Sequence, residues 1–110
     1  IDIGEDVLFG SNIYVADHAH GEYRGSEQSS PATAPAARIL GTRGKVVIGD
    51  RVWIGNNVVI VGTVTVGDGA IIAANSVINK DVPAATMVAG VPARTIKTYD
   101  YETQRWIAEC

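Results

Sequence analysis

Apolar residues recur along this chain at a fixed interval of six. Ile3, Phe9 and Val15 are six apart, and after a break so are Ile48, Ile54, Ile60, Val66, Ile72 and Ile78. A second set lies two positions earlier in each unit: Ile1, Val7 and Ile13, then Val46, Val52, Val58, Val64 and Ala70. A helix would need apolar residues three and four apart, whereas residues two apart in an extended segment share a face. Each unit therefore buries a doublet and then turns. GED, GSN, GDR, GNN, GDG, AAN and NKD fill the three turn positions with residues that tolerate positive φ or bond their own backbone. One short strand and one tight turn per unit, three units to a coil, predict an all-β, three-sided parallel β-solenoid.

The interval from Val15 to Ile48 is not a multiple of six, so residues from about 21 to 44, rich in Gly, Ser, Ala and Pro, are expected to leave the column. An excursion of that length is usually functional or disordered. After Asp81 the run DVPAATMVAGVPARTIK closes the solenoid, with Pro83 and Pro92 ending regular pairing. Asp100 reads as a helix N-cap, which predicts a short helical cap over about 99–109. The outward strand positions Leu8, Tyr14, Val47, Trp53, Val59, Ile71 and Val77 amount to more apolar surface than a monomer leaves wet. A partner subunit is expected to cover them.

Composition narrows the classes of function. With 110 residues, 46% hydrophobic and 19% charged, the chain reads as a single soluble domain, 1–110. No apolar run approaches the roughly 20 residues of a membrane span, so no transmembrane segment is expected. The net charge of −3 and the lack of a basic run argue against nucleic acid. A single cysteine, Cys110, leaves no disulfide framework and fits a reducing compartment, so the cytoplasm is expected. The chain opens at Ile1 inside a repeat, and a longer N-terminal part of the natural protein is expected to precede it.

IGDRVWIGNNVVI, VTVGDGAIIAANSVINKDVPA and VAGVPARTIK together resemble the hexapeptide-repeat acyltransferases with a left-handed parallel β-helix. The ending TYDYETQRW and the long loop after DHAH are most similar to the bacterial surface-polysaccharide O-acetyltransferases of that family. The resemblance implies a homotrimer, acetyl-coenzyme A as co-substrate in the groove between adjacent prisms, no required metal, and a sugar or polysaccharide acceptor. It also implies that His18, at the edge of the excursion, is the catalytic base. Imidazole titrates near neutral pH and can take the proton of an attacking hydroxyl. The alternative reading of His18 is a turn residue at the position held elsewhere by Asp6, Asn12, Arg51, Asn57 and Asn75.

By the same resemblance Trp53, Gly55, Asn56 and Ala74 line the coenzyme's pantetheine arm, and Asn79, Lys80, Arg94 and Lys97 reach its nucleotide. Cations beside phosphates make physical sense there; interface packing for Trp53 and solvated charge for the cations are the plain alternatives. Asn12, His20 and Tyr23 are candidates for acceptor contact. Asp17 could orient His18, but neighbours in an extended segment point to opposite faces, so a backbone carbonyl or Glu22 is as good a candidate. Two histidines in one short segment do not make the three-histidine zinc set of prism-shaped carbonic anhydrase-like proteins. The chain departs from the common family pattern at IVGTVTVG, where a Pro-Gly pair is usual, and at Ala73–Ala74, where Gly-Ala is common. The competing functions are acetylation of a small sugar, amino sugar or antibiotic, and a non-catalytic or metal-binding trimeric scaffold.

Overall fold

Coil by coil, the six-residue repeat becomes short strands joined by tight turns. The computed structural model describes residues 1–42 and 44–109, so Arg43 and the terminal Cys110 lie outside the described residues. The first coil carries β1 (Asp2–Ile3), β2 (Leu8–Phe9) and β3 (Tyr14–Ala16). An excursion follows, opening with β4 (His18–His20) and returning through β5 (Leu40–Thr42). The second coil is β6 (Val46–Ile48), β7 (Trp53–Ile54) and β8 (Val59–Val61), and the third is β9 (Val64–Val66), β10 (Ile71–Ile72) and β11 (Val77–Ile78).

Parallel pairing stacks these strands into three faces, β1-β6-β9, β2-β7-β10 and β3-β8-β11. Val47 pairs with Thr65, an offset of 18 residues, whereas Asp2 pairs with Val47 at an offset of 45; the difference of 27 is the length the excursion inserts. The inserted chain carries strand pairing of its own. β4 and β5 form an antiparallel ribbon in which His18 faces Thr42 and His20 faces Leu40, so the departure begins at residue 18 rather than near 21.

Both apolar sets point inward. Val46, Ile48, Val52, Ile54, Val58, Ile60, Val64, Val66, Ala70, Ile72 and Ile78 are buried in one continuous core, joined by Val82 and Val88. The sequence rhythm misses Ser76, which continues the second set at 0% exposure. Its hydroxyl accepts the Gly90 N–H at 3.2 Å, which allows a polar side chain in that position. The third turn position adopts positive φ at Asp6, Asn12, Arg51, Asn57, Gly69 and Asn75, as the turn composition predicts.

The turns contain a second device. Asp50 Oδ1 accepts the Glu5 N–H at 2.8 Å, Asp68 Oδ1 the Asp50 N–H at 2.7 Å, and Asn56 Oδ1 the Ser11 N–H at 2.8 Å. Each acceptor reaches from one coil to the coil before it. The glycine ahead of each donor makes room: a Cβ on Gly4, Gly10 or Gly49 would stand 2.2–2.3 Å from that same oxygen.

Among the described residues the expected C-terminal helix is absent, and strands take its place. After β12 (Thr86–Gly90), which continues the second face, the chain doubles back through Val91 and Pro92 into β13 (Ala93–Asp100) and again into β14 (Arg105–Ala108), both antiparallel. Asp100 does cap backbone, but in a turn: its Oδ1 accepts the Glu102 N–H at 3.0 Å and its Oδ2 the Thr103 hydroxyl at 3.1 Å. The same Asx chemistry serves a helix start and a hairpin loop. Tyr99 stacks edge-on with Trp106 across the ribbon, 5.4 Å between ring centroids, a contact that only the antiparallel register supplies.

Candidate active site

The column has three edges, and the candidate residues divide between two of them. One edge stacks the turns at 10–12, 55–57 and 73–75; another stacks the excursion on the turns at 61–63 and 79–81. His18 stands at the head of the excursion, opening β4 in extended conformation. It is not among the positive-φ residues, so it does not take the left-handed turn position that the repeat would assign it.

Departure from the repeat relaxes the alternation that argued against Asp17. Asp17 Oδ1 lies 3.3 Å from His18 Nδ1, the carboxylate 31% and the imidazole 49% exposed. A carboxylate on Nδ1 fixes the ring and leaves Nε2 as the nitrogen that can exchange a proton. Glu22, the other candidate partner, accepts the N–H groups of Tyr23 and Arg24 at 3.1 Å.

On the other edge, Trp53, Gly55, Asn56, Ile71, Ile72, Ala73, Ala74 and Met87 line an apolar recess of about 390 Å³. Trp53 is 53% exposed, in register between Leu8 and Ile71, so its indole forms a wall of the recess. Here the turn ladder breaks. Ala74 stands where an Asp or Asn would accept the Asn56 N–H, and among the described hydrogen bonds neither Asn56 N nor Ala74 N has a protein acceptor. Gly55 keeps the wall thin, since a Cβ there would meet Ala74 N at 2.7 Å. The methyl side chain of Ala74, an acceptor-free residue, therefore leaves two donors open beside an apolar surface.

The cationic candidates split. Lys80 and Arg94 share a recess with Val82, Pro83 and Thr95. Asn79 and Lys80 line a second one with Arg24, Gly62, Thr63 and Asp81. Lys97 lines neither and sits opposite Met87 across β12 and β13. Gly62, at the other departure from the family pattern, has φ of 98° in its turn.

The acceptor candidates are tied into the structure. Asn12 Nδ2 donates to Asn57 Oδ1 at 3.1 Å as part of the turn stack. Tyr23 donates its hydroxyl to the His20 carbonyl and accepts from Arg38 Nη1, whose guanidinium lies 5.9 Å from the ring centroid. The His20 ring itself is exposed on β4. Sequence reasoning missed Met87 and Arg24. Met87 was readable as the outward residue of the next coil, once the offset of 16 from Ile71 is known. No sequence signal places Arg24, because only the fold of the excursion brings it to Lys80.

Residues 45–80 match the family model for the bacterial transferase hexapeptide (six repeats). The chain is 42% identical over 107 residues to WbbJ of Escherichia coli, a protein named for lipopolysaccharide-biosynthesis O-acetyl transfer, covering 96% of this chain and 54% of that one. It is 38% identical to the galactoside O-acetyltransferase of Escherichia coli, covering 88% and 43%. A hexapeptide-repeat acetyltransferase from Vibrio cholerae O1 biovar eltor, solved with acetyl coenzyme A, superposes with a TM-score of 0.72 at 38% identity, over 87% of this chain and 49% of that one. The chain thus spans about half the length of the curated relatives it matches. No helix among the described residues is long and apolar enough to cross a membrane, and no group of three or more His, Cys, Asp or Glu among them could hold a metal.

Proposed function

We propose, from the premise that this chain belongs to the hexapeptide-repeat transferase family and shares its left-handed parallel β-helix, that it transfers acetyl from acetyl-coenzyme A to a sugar hydroxyl of a surface polysaccharide or its precursor. The observation that carries this reading is the break in the turn ladder. Two unclaimed backbone N–H groups, at Asn56 and Ala74, flank an apolar recess walled by Trp53. A pantetheine arm has that pattern of amides on an aliphatic chain, and backbone donors can bind it without side-chain reorganisation. The structure of the Vibrio cholerae acetyltransferase in complex with acetyl coenzyme A, and that of a galactoside acetyltransferase with coenzyme A, support the donor.

The chemistry assigned to this chain's residues is direct transfer. His18 Nε2 takes the proton of the acceptor hydroxyl as its oxygen attacks the thioester carbonyl. The Asp17 carboxylate at Nδ1 holds the ring and balances the imidazolium charge. The C–S bond then breaks and His18 returns the proton to the thiolate, giving an acetyl ester and free coenzyme. No metal takes part in these steps.

His18 and the Trp53 recess lie on different edges of one column, and pairing a hydroxyl at one with a thioester at the other requires a second copy. We therefore infer a cyclic homotrimer in which the recess edge of one subunit faces the His18 edge of the next. Exposed Leu8, Tyr14 and Trp53 fit such an interface. The supply of acetyl-coenzyme A places the reaction in the cytoplasm.

The test is thiol release from acetyl-coenzyme A by the native chain with a panel of saccharide acceptors. His18→Ala should lower the acceptor-dependent rate by about 10²–10⁴-fold. A native rate in that variant removes the general-base role, and no acceptor-dependent thiol release from the native chain removes the function.

A further inference from the structure

Arg24 belongs to the excursion, yet it lines a recess on the column with Gly62, Thr63, Asn79, Lys80 and Asp81. The excursion is anchored at this place by its other end as well. Gly44, with φ of 113°, packs so closely on Thr63 that a Cβ would stand 2.5 Å from its hydroxyl. The recess thus joins inserted chain to repeat turns at a fixed place rather than by a passing loop contact.

Its charge is unbalanced. Neither Arg24 nor Lys80 is in an ion pair among the described residues. The single carboxylate present, Asp81, already uses Oδ1 to accept the Thr65 N–H at 2.8 Å. The Thr63 hydroxyl and the Asn79 amide add neutral donors. Two cations of different shape, one planar and one compact, with two neutral donors and a carboxylate committed to backbone, suit a multivalent oxyanion. In a chain of net charge −3 this local excess of positive charge is a departure from the rest of the molecule.

We propose that Arg24 joins Lys80, which the family resemblance already directs to the coenzyme nucleotide, in a phosphate-binding subsite that couples the excursion to an anionic ligand. Resting on the acyl-transfer reading, the phosphate is either one carried by the coenzyme nucleotide or the diphosphate of a nucleotide-linked sugar acceptor. In both cases binding fixes Arg24, and through the short segment 21–23 it fixes the β4 strand that carries His18.

Calorimetric titration of the native chain, Arg24→Ala, Arg24→Lys and Lys80→Ala with coenzyme A, dephospho-coenzyme A and UDP tests this. Arg24→Ala is expected to weaken at least one ligand about fivefold, as loss of one exposed ionic contact would, with Arg24→Lys recovering most of it. A loss confined to coenzyme A and absent with dephospho-coenzyme A assigns the 3′-phosphate; a loss shared by both coenzymes assigns the coenzyme diphosphate; a loss confined to UDP assigns the acceptor. Arg24→Ala binding all three ligands as the native chain does overturns the proposal, and so does a native chain that binds none of them. If Lys80→Ala alone weakens coenzyme A, this subsite is wrong while acyl transfer stands. If the native chain binds UDP through Arg24 but no coenzyme, the subsite stands and acyl transfer falls.

Discussion

Asp68 of the third coil places its carboxylate oxygen in the space that Gly49 of the second coil leaves open, 2.3 Å from where a Cβ would be, and there accepts the Asp50 N–H at 2.7 Å. The glycine therefore serves the neighbouring coil, since its own φ is not in the left-handed region. Gly49→Ala should destabilise the column by about 1–3 kcal/mol through overpacking against a fixed acceptor. Chemical denaturation of the two proteins measures this, and adding Asp68→Ala to Gly49→Ala should recover part of the loss by removing the clash.

The opposite experiment applies where the ladder is broken. Ala74→Asn supplies the acceptor that the Asn56 N–H lacks, adding one hydrogen bond of about 0.5–1.5 kcal/mol. Thermal stability should hold or rise while coenzyme A binding weakens, because the donor and the recess are both taken. Unchanged affinity in a folded Ala74→Asn variant would separate this recess from the coenzyme.

On the proposed mechanism Asp17 acts through His18. Asp17→Asn keeps the shape and removes the charge, and loss of a charged hydrogen bond of about 1.5 kcal/mol corresponds to roughly a tenfold fall in kcat. KM for acetyl-coenzyme A should not move. A structural role alone would instead lower the melting temperature and leave kcat per folded molecule intact.

The repeat fixed most of this fold in advance, because a doublet and a turn every six residues admit few arrangements, and the inward residues from Val46 to Ile78 follow it. The positive-φ turns were legible for the same reason. The C-terminal ribbon was not: the residues around Asp100 carry a local capping signal that a helix and a hairpin loop share, and the pairing of β13 with β12 that decides between them is tertiary. That Trp53, Gly55, Asn56 and Ala74 line one recess was legible because they lie on the repeat and their register follows from it; their coenzyme role was an expectation from the resemblance alone. Asp17 beside His18 was not, since the rule that separates neighbouring side chains holds inside a regular strand and these residues stand where one strand gives way to another.

Lys45, the first residue after Gly44 on the return to the column, pairs with Asp2 on the first coil. The hydrogen bond and charge of Lys45 hold the Asp2 carboxyl below its ordinary value of 3.8. A depressed carboxyl contributes stability above its unfolded value and loses it as pH falls through the folded one. The melting temperatures of the native chain and Lys45→Ala should therefore differ slightly above pH 3.8 and converge below it, as parallel thermal melts across that range would show. The exposed position of both side chains keeps the difference small.

The 27 interposed residues leave and rejoin at one corner, and the strands on either side still stack in phase. A scaffold with that tolerance separates what must stay constant from what can vary. The segment hung from the corner can be lengthened, trimmed or exchanged by evolution, or by grafting, while the stacked wall beneath it keeps its spacing.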